Sequence, residues 1–256
     1  MIAKIAAIPW NYILKIAAIY WKDILETATI LRKYILQVAA ILWKDILSEY
    51  RTKEMLSSMI VFSLLVSVIF NFAFPPGSDA LREAIPGILW MTIIFASLLG
   101  LNRSFVYEVD KGCLQGLMLA PIPRSAVYIS KSLVNFLFII LVEMIVLPIF
   151  AIFFDLNLID SIGQLLLVIF LSTAGIAIIG TLFSAISVNT KSREIMLPIM
   201  YFPVFIPVIF GAVQSTAAIF QEEDWSVVWG WLKIIVAFDI IFLIVALLTF
   251  EYVIEE

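Results

Sequence analysis

SIGQLLLVIFLSTAGIAIIGTLFSAISVNT, residues 161–190, runs for 30 positions without an Asp, Glu, Lys or Arg. As a helix it rises about 45 Å at 1.5 Å per residue, more than the ~30 Å hydrocarbon core of a bilayer. A surface helix in water needs a polar stripe along its length, and this one has none. Three further runs are free of charge: residues 55–78 (24 residues), 84–102 (19) and 195–221 (27). Residues 126–154 and 231–253 are also apolar, each interrupted by an acid, Glu143 and Asp239, with Lys131, Lys233 and Glu251 towards their ends. These six segments predict an all-α polytopic membrane protein with six transmembrane helices. Composition agrees: of 256 residues, 63% are hydrophobic and 14% charged, with a mean hydropathy of +1.10. Water-soluble domains are about half apolar and a quarter charged.

What is missing narrows the function. The chain has no histidine and a single cysteine, Cys113. It therefore lacks the commonest metal ligand and general base, any internal disulfide, and any cysteine pair for a metal or redox site. No GxxxxGK[ST] motif occurs, so ATP has no P-loop here. The net charge of −4 gives no footprint for nucleic acid. No constellation of nucleophile and base marks an enzyme.

Lysine and arginine set the expected orientation. One set of loops holds Lys44, Arg51, Lys53, Arg103, Lys111, Arg124, Lys191 and Arg193. The other holds Arg82, with Lys233 at a helix edge, among Asp79, Glu83, Asp155, Asp160, Glu222, Glu223 and Asp224. Both termini are then cytoplasmic, and Trp225, Trp229 and Trp231 sit at the outer interface as an aromatic belt. The first residues show no cleavable signal pattern.

Residues 4–47 are four units of eleven: KIAAIPWNYIL, KIAAIYWKDIL, ETATILRKYIL and QVAAILWKDIL. Eleven residues make three turns at 3.67 per turn, so each repeat position keeps its place on the helix surface. Lys4, Lys15 and Glu26 share a stripe beside Lys22, Lys33 and Lys44, and Ile, Leu, Ala and Trp cover the broader face. Uncharged stretches here never exceed ten residues, too short to span. The expectation for residues 1–50 is one or two amphipathic helices in the membrane interface, with 51–256 as a six-helix membrane domain. Residues 1–54 carry eight Lys/Arg against five Asp/Glu, which suits anionic lipid. A helical contact with a partner is the rival reading.

Between the second and third spans lies RSFVYEVDKGCLQGLMLAPIPRSAVYISK, residues 103–131. Gly112 opens a short amphipathic stretch at 113–119, and Pro121 and Pro123 close it before the chain re-enters the membrane. Such a segment is either a docking helix or an ordinary connector. The pattern E-x-D-K-G-x-L-x-G-L-x-L-x-P-x-P-R, residues 108–124, resembles the coupling segment of ABC-2-type permeases. More narrowly it is similar to the CcmB family, the B subunit of the cytochrome c maturation haem exporter. WKDILSEYRTKEM (43–55), LVEMIVLPIFAIFF (141–154), SREIMLPIMYFPVFIPVIFGAV (192–213) and AFDIIFLIVALLTFEYVIEE (237–256) support the same likeness. It covers residues 40–256 and leaves most of the repeat array outside.

The resemblance implies a six-helix permease subunit of the cell inner membrane that is not itself an enzyme. ATP hydrolysis would occur in a partner ATPase, the A subunit, coupled through Glu108, Asp110, Lys111, Gly112, Leu114, Leu117 and Pro121. It further implies a homodimer of permease subunits, C and D subunits, and a haem chaperone. No cofactor binds directly; haem is a candidate cargo. An ABC-2 exporter of lipid, polysaccharide or drug remains an alternative. So does a proton-coupled secondary transporter using Glu143 and Asp239, although the internal repeat of many such carriers is absent.

Glu143 and Asp239 lie roughly 12–16 Å from the outer ends of their spans. A charge at that depth costs about 2.5–3.5 kcal/mol, so each should face the bundle interior or water. They would serve either as a polar lining or as hydrogen-bonded acids between helices, and one would hold a proton if the two approach. Thr173, Ala177, Thr181 and Ser184 place small side chains on one face of the fourth span and predict close packing. Pro198, Pro203 and Pro207 crowd the fifth span and predict a kinked or broken helix, and the resemblance to ABC-2-type permeases further implies a re-entrant stretch at 214–220.

Overall fold

The structure, a computed structural model, describes residues 10–110, 112–158, 161–188, 190 and 192–255. Among these the secondary structure is eight helices and no strand. The repeat array forms a single helix, α1 (Trp10–Thr52), 43 residues long, with no break between units. Lys53, at φ 54°, turns the chain into α2 (Glu54–Ala73). Pro75-Pro76-Gly77 ends α2, and Gly77 takes the positive φ of that turn. Then follow α3 (Asp79–Asp110), the seven-residue α4 (Cys113–Leu119), α5 (Arg124–Phe153), α6 (Ile162–Val188), α7 (Arg193–Phe220) and α8 (Trp225–Glu255).

Six of them, α2, α3 and α5 to α8, are long and apolar enough to cross a membrane, as the charge-free runs predict. Their ends differ from the runs where a charge can be buried or solvated. α3 continues past Asn102 to Asp110 and carries Arg103 and Glu108 within it. α8 begins at Trp225, a turn and a half before the apolar run.

α6 occupies the centre, packed against α3, α5, α7 and α8. From Leu171 to Val188 it is enclosed by them, whereas Leu166, Leu167 and Phe170 face outward into lipid, and neither surrounding calls for a polar stripe. Thr173, Ala177, Thr181 and Ser184 are all buried, as the small-residue face predicts. α2 lies at the periphery against α3 and α5. Its buried residues, Met55, Met59, Ser63 and Ser67, form one stripe spaced four apart. Val61, Leu65, Ile69 and Phe72 point away from the bundle, where lipid replaces water as the solvent.

Without water in the interior, buried polar groups must find one another. Trp90 on α3 donates to Thr216 Oγ1 on α7 at 2.9 Å. Asn135 on α5 donates to Thr181 Oγ1 on α6 at 2.9 Å, and Tyr128 gives its hydroxyl proton to the Ile178 carbonyl at 2.9 Å. Ser184 on α6 donates to the Leu101 carbonyl on α3 at 2.6 Å.

One expectation needs correction. Pro198, Pro203 and Pro207 do not break the fifth span: α7 is one uninterrupted helix, and residues 214–220 are its last turns, with no re-entrant stretch. Each proline deletes a single backbone bond. The remaining ladder, together with the packing of α7 against α3, α6 and α8, is enough to carry the helix through. Pro203 and Pro207 face outward, where their rings displace nothing.

Candidate functional site: the bundle end that carries α4

α3 and α5 leave the bundle on the same side, and the link between them folds α4. Gly112 precedes it at φ 68°, a left-handed conformation that a side chain would strain. Beyond Leu119 the chain is extended, the Ile122 N–H donates to the Ala120 carbonyl at 2.7 Å, and Pro123 caps α5. The helix thus has the limits that its glycine and prolines predict. Leu117 and Met118 lean on the core, whereas Cys113 and Leu119 are exposed, Leu119 at 89%. A leucine that open at the tip of a seven-residue helix lies outside the packing of its own chain.

The site residues named from the sequence separate into two groups. Gly112 and Pro121 are exposed, Leu117 is half-buried and Asp110 is exposed at the end of α3. Lys111 lies outside the described residues, as does the side chain of Leu114. Glu108 does not share this surface. It is 2% exposed and belongs to a buried ion cluster.

That cluster joins three helices. Glu108 Oε1 on α3 lies 2.5 Å from Lys44 Nζ on α1 and 2.8 Å from Lys131 Nζ on α5. Lys131 also reaches Asp45 Oδ2 on α1 at 2.8 Å, and Lys44 reaches Asp45 Oδ1 at 3.1 Å. Lys131 Nζ sits 5.7 Å from the centre of the Phe105 ring, which adds a cation–π contact. Burial works against the charge of Lys44, but the carboxylates of Asp45 and Glu108 beside it outweigh burial and hold its pKa above the lysine value of 10.5. Nearby, the Leu56 N–H donates to Glu49 Oε1 at 2.9 Å, and Arg103 pairs with Glu54 at 2.6 Å. A cleft of about 570 Å³ opens beside the cluster, lined by Asp45, Glu49, Glu108, Lys131 and Asn135 among others.

The clasp is absent from the sequence reading, which takes Lys131 as the edge of a span and Lys44 as part of an amphipathic stripe. The available signal was a lysine several residues inside an apolar segment, since such a charge must find a partner. Nothing in the sequence says which of the many acids that partner is.

The membrane-embedded acids stand apart. Thr173 on α6 donates to the carboxylate of Glu143, 2.8 and 2.9 Å from its two oxygens. Asp239 on α8 packs against Gly175, where a Cβ would collide with its Oδ1. Thr173 and Gly175 are two residues apart, about 200° around α6. The two acids therefore address opposite faces of that helix and do not form a pair. Among the described residues, no group of three or more acids or cysteines is placed to hold a metal ion.

The family described as CcmB protein matches residues 36–255.

The chain belongs to the CcmB family.

The match runs from the last repeat unit through the clasp, α4 and all six spans, and it leaves the first three repeat units outside. Among characterised relatives, heme exporter protein B of Pseudomonas aeruginosa is 29% identical over 170 residues, covering 65% of this chain and 76% of the relative. Heme exporter protein B of Rhodobacter capsulatus is 31% identical over 154 residues, covering 60% and 70%. That of Bradyrhizobium diazoefficiens is 27% identical over 161 residues, covering 62% and 72%.

Proposed function

We propose that this CcmB-family chain is the permease subunit of an ABC-type haem exporter that serves cytochrome c maturation, in the bacterial inner membrane with both termini in the cytoplasm. Support comes from the relatives, which carry the name heme exporter protein B. The observation that carries the mechanism is α4, a short helix between two spans whose terminal leucine is left uncovered. An uncovered apolar side chain on a rigid projection is what a groove in a soluble partner would take. In this reading the partner is an ATPase, two permease chains assemble with two copies of it, and C and D subunits and a haem chaperone complete the system. Nucleotide-driven movement of the ATPase presses on α4, and α3 and α5, continuous with it, carry that displacement into the bundle. Haem, or the haem chaperone, is what the movement serves.

The test is covalent-haem staining of c-type cytochromes in a strain deleted for this gene. The strain is complemented with the full chain, a chain starting at Gln37, or the full chain with Leu119→Glu. Loss on deletion and rescue by the first two are expected. Leu119→Glu should be present in the membrane at normal level, yet give at least a tenfold loss of stained cytochrome and no stimulation of the ATPase. Unchanged cytochromes in the deletion strain would refute the haem role; full rescue by Leu119→Glu would refute coupling through α4.

A further inference from the structure

The same repeat position meets two different surroundings. Ile41, in the fourth unit, is 4% exposed against the bundle, whereas Ile30, eleven residues earlier, is 64% exposed. Contact with the bundle begins at Tyr34, whose hydroxyl donates to Ser125 Oγ, and at Gln37, which donates to the Pro121 carbonyl. Ahead of Tyr34, α1 continues to Trp10 as an arm about 36 Å long at 1.5 Å per residue. Trp21, Leu25, Ile30 and Leu31 are all uncovered there.

Helical register says which way this surface points. At 100° per residue, Trp21, Leu25, Ala28, Ile35, Trp43 and Leu47 fall within an arc of about 120°, and all are exposed. The arc runs from the arm, past Arg32 near its centre, into the part of α1 that is fixed to the bundle. Gln37, bonded to the α4–α5 link at Pro121, lies nearly opposite its centre. Tyr34, Ile41 and Asp45 fall on the same side as Gln37 and meet the bundle, so the arc is the face of α1 turned away from it. Eleven residues turn the face by only about 20°, which keeps the stripe nearly in one plane along the arm.

The charges fit a lipid surface. Arg32 and Lys33 pair with no carboxylate among the described residues. Lys33 and Lys44 flank an open groove of about 610 Å³ that also involves Thr29, Leu36, Gln37 and Ile122. Arg32 stands where Trp21 and Trp43 stand in their own units, and its long stem can lie along the apolar arc with the guanidinium at headgroup depth.

We infer that the arm, residues 10–33, lies in the boundary between headgroups and acyl chains of the leaflet on the α4 side, with Arg32 and Lys33 on the phosphates of anionic phospholipids. This extends the permease's footprint on the membrane well beyond its six spans. It does not depend on the cargo or on an ATPase.

The test uses the full chain with Cys113→Ala and single spin-labelled cysteines at Leu25, Ile35, Glu26 or Thr27. Each is reconstituted in nanodiscs of phosphatidylcholine with about one third phosphatidylglycerol. Labels at Leu25 and Ile35 should be several-fold more open to oxygen than to a water-soluble nickel chelate, and labels at Glu26 and Thr27, which lie outside the arc, the reverse. Arg32→Glu with Lys33→Glu should halve the contrast at Leu25 in these discs, and leave it unchanged in pure phosphatidylcholine. Equal access to the chelate at all four positions would overturn the proposal in favour of an arm free in water. Dipolar broadening at Leu25 that vanishes on dilution with unlabelled chain would overturn it in favour of a second copy. A contrast insensitive to the charge reversal in both discs would overturn the role of anionic lipid.

Discussion

Lys131 reaches Asp45 on α1 and Glu108 on α3 at once, each at 2.8 Å, from a position that is 2% exposed. Removing it leaves two carboxylates with less compensation in a desolvated place, and breaking a buried pair costs about 3–5 kcal/mol. Lys131→Met should therefore lower the thermal midpoint of the detergent-solubilised protein by many degrees. Adding Glu108→Gln should recover part of the loss, because it removes one of the stranded charges; a strictly additive double variant would show that the two side chains do not interact. Lys44 adds a pH dependence of known sign. Its folded pKa is raised, so its stabilising effect is complete below the ordinary value of 10.5 and is lost as pH rises through the folded value. The stability gap between the native chain and Lys44→Gln should stay constant from neutral pH to about 10 and close above it, as read by midpoints across that range. Gly175 offers a second residue-scale check. Gly175→Ala forces its methyl into Asp239 Oδ1, an overpacking that costs roughly 1–3 kcal/mol, and Asp239→Ala in the same chain should relieve it.

At the scale of elements, charge works as punctuation throughout, whereas proline does so between helices but not inside α7. The six spans and α4 are legible because charged residues mark where chain leaves the apolar phase, and because Gly112 and Pro121 bracket a stretch too short to be anything but one or two turns. Periodicity shows which face of a helix is apolar, but not which helix that face meets. The clasp therefore stays hidden: its partners lie 64 and 23 residues from Glu108, on helices whose adjacency no local pattern encodes. α7 is the converse case, where a local rule predicts an interruption and the surrounding helices override it. Since Pro203 and Pro207 face outward within an intact helix, restoring a backbone donor should help. Pro207→Ala should raise the midpoint by a few degrees and, if the proposed exporter role holds, leave cytochrome assembly intact; a loss of assembly would mean the proline shapes a movement of α7.

For the whole molecule, the first three repeat units and the bundle should be separable in stability, although one helix runs through both. A chain starting at Gln37 loses the Tyr34–Ser125 bond, 3.3 Å long and only part-buried, and little else that touches the spans. Its thermal midpoint should match that of the full chain within about two degrees, since an exposed hydrogen bond contributes about 1 kcal/mol or less. A larger drop would place hidden bundle contacts in the arm. The clasp has the opposite character. It closes the neck of the segment that holds α4, tying the end of α3 to the start of α5 and both to α1. A loose neck would let α4 swing alone and dissipate a push in the link. In the proposed coupling role, the two feet from which α4 hangs are then one footing: a push that reaches the clasp would be shared by α1, α3 and α5 rather than spent on any one of them.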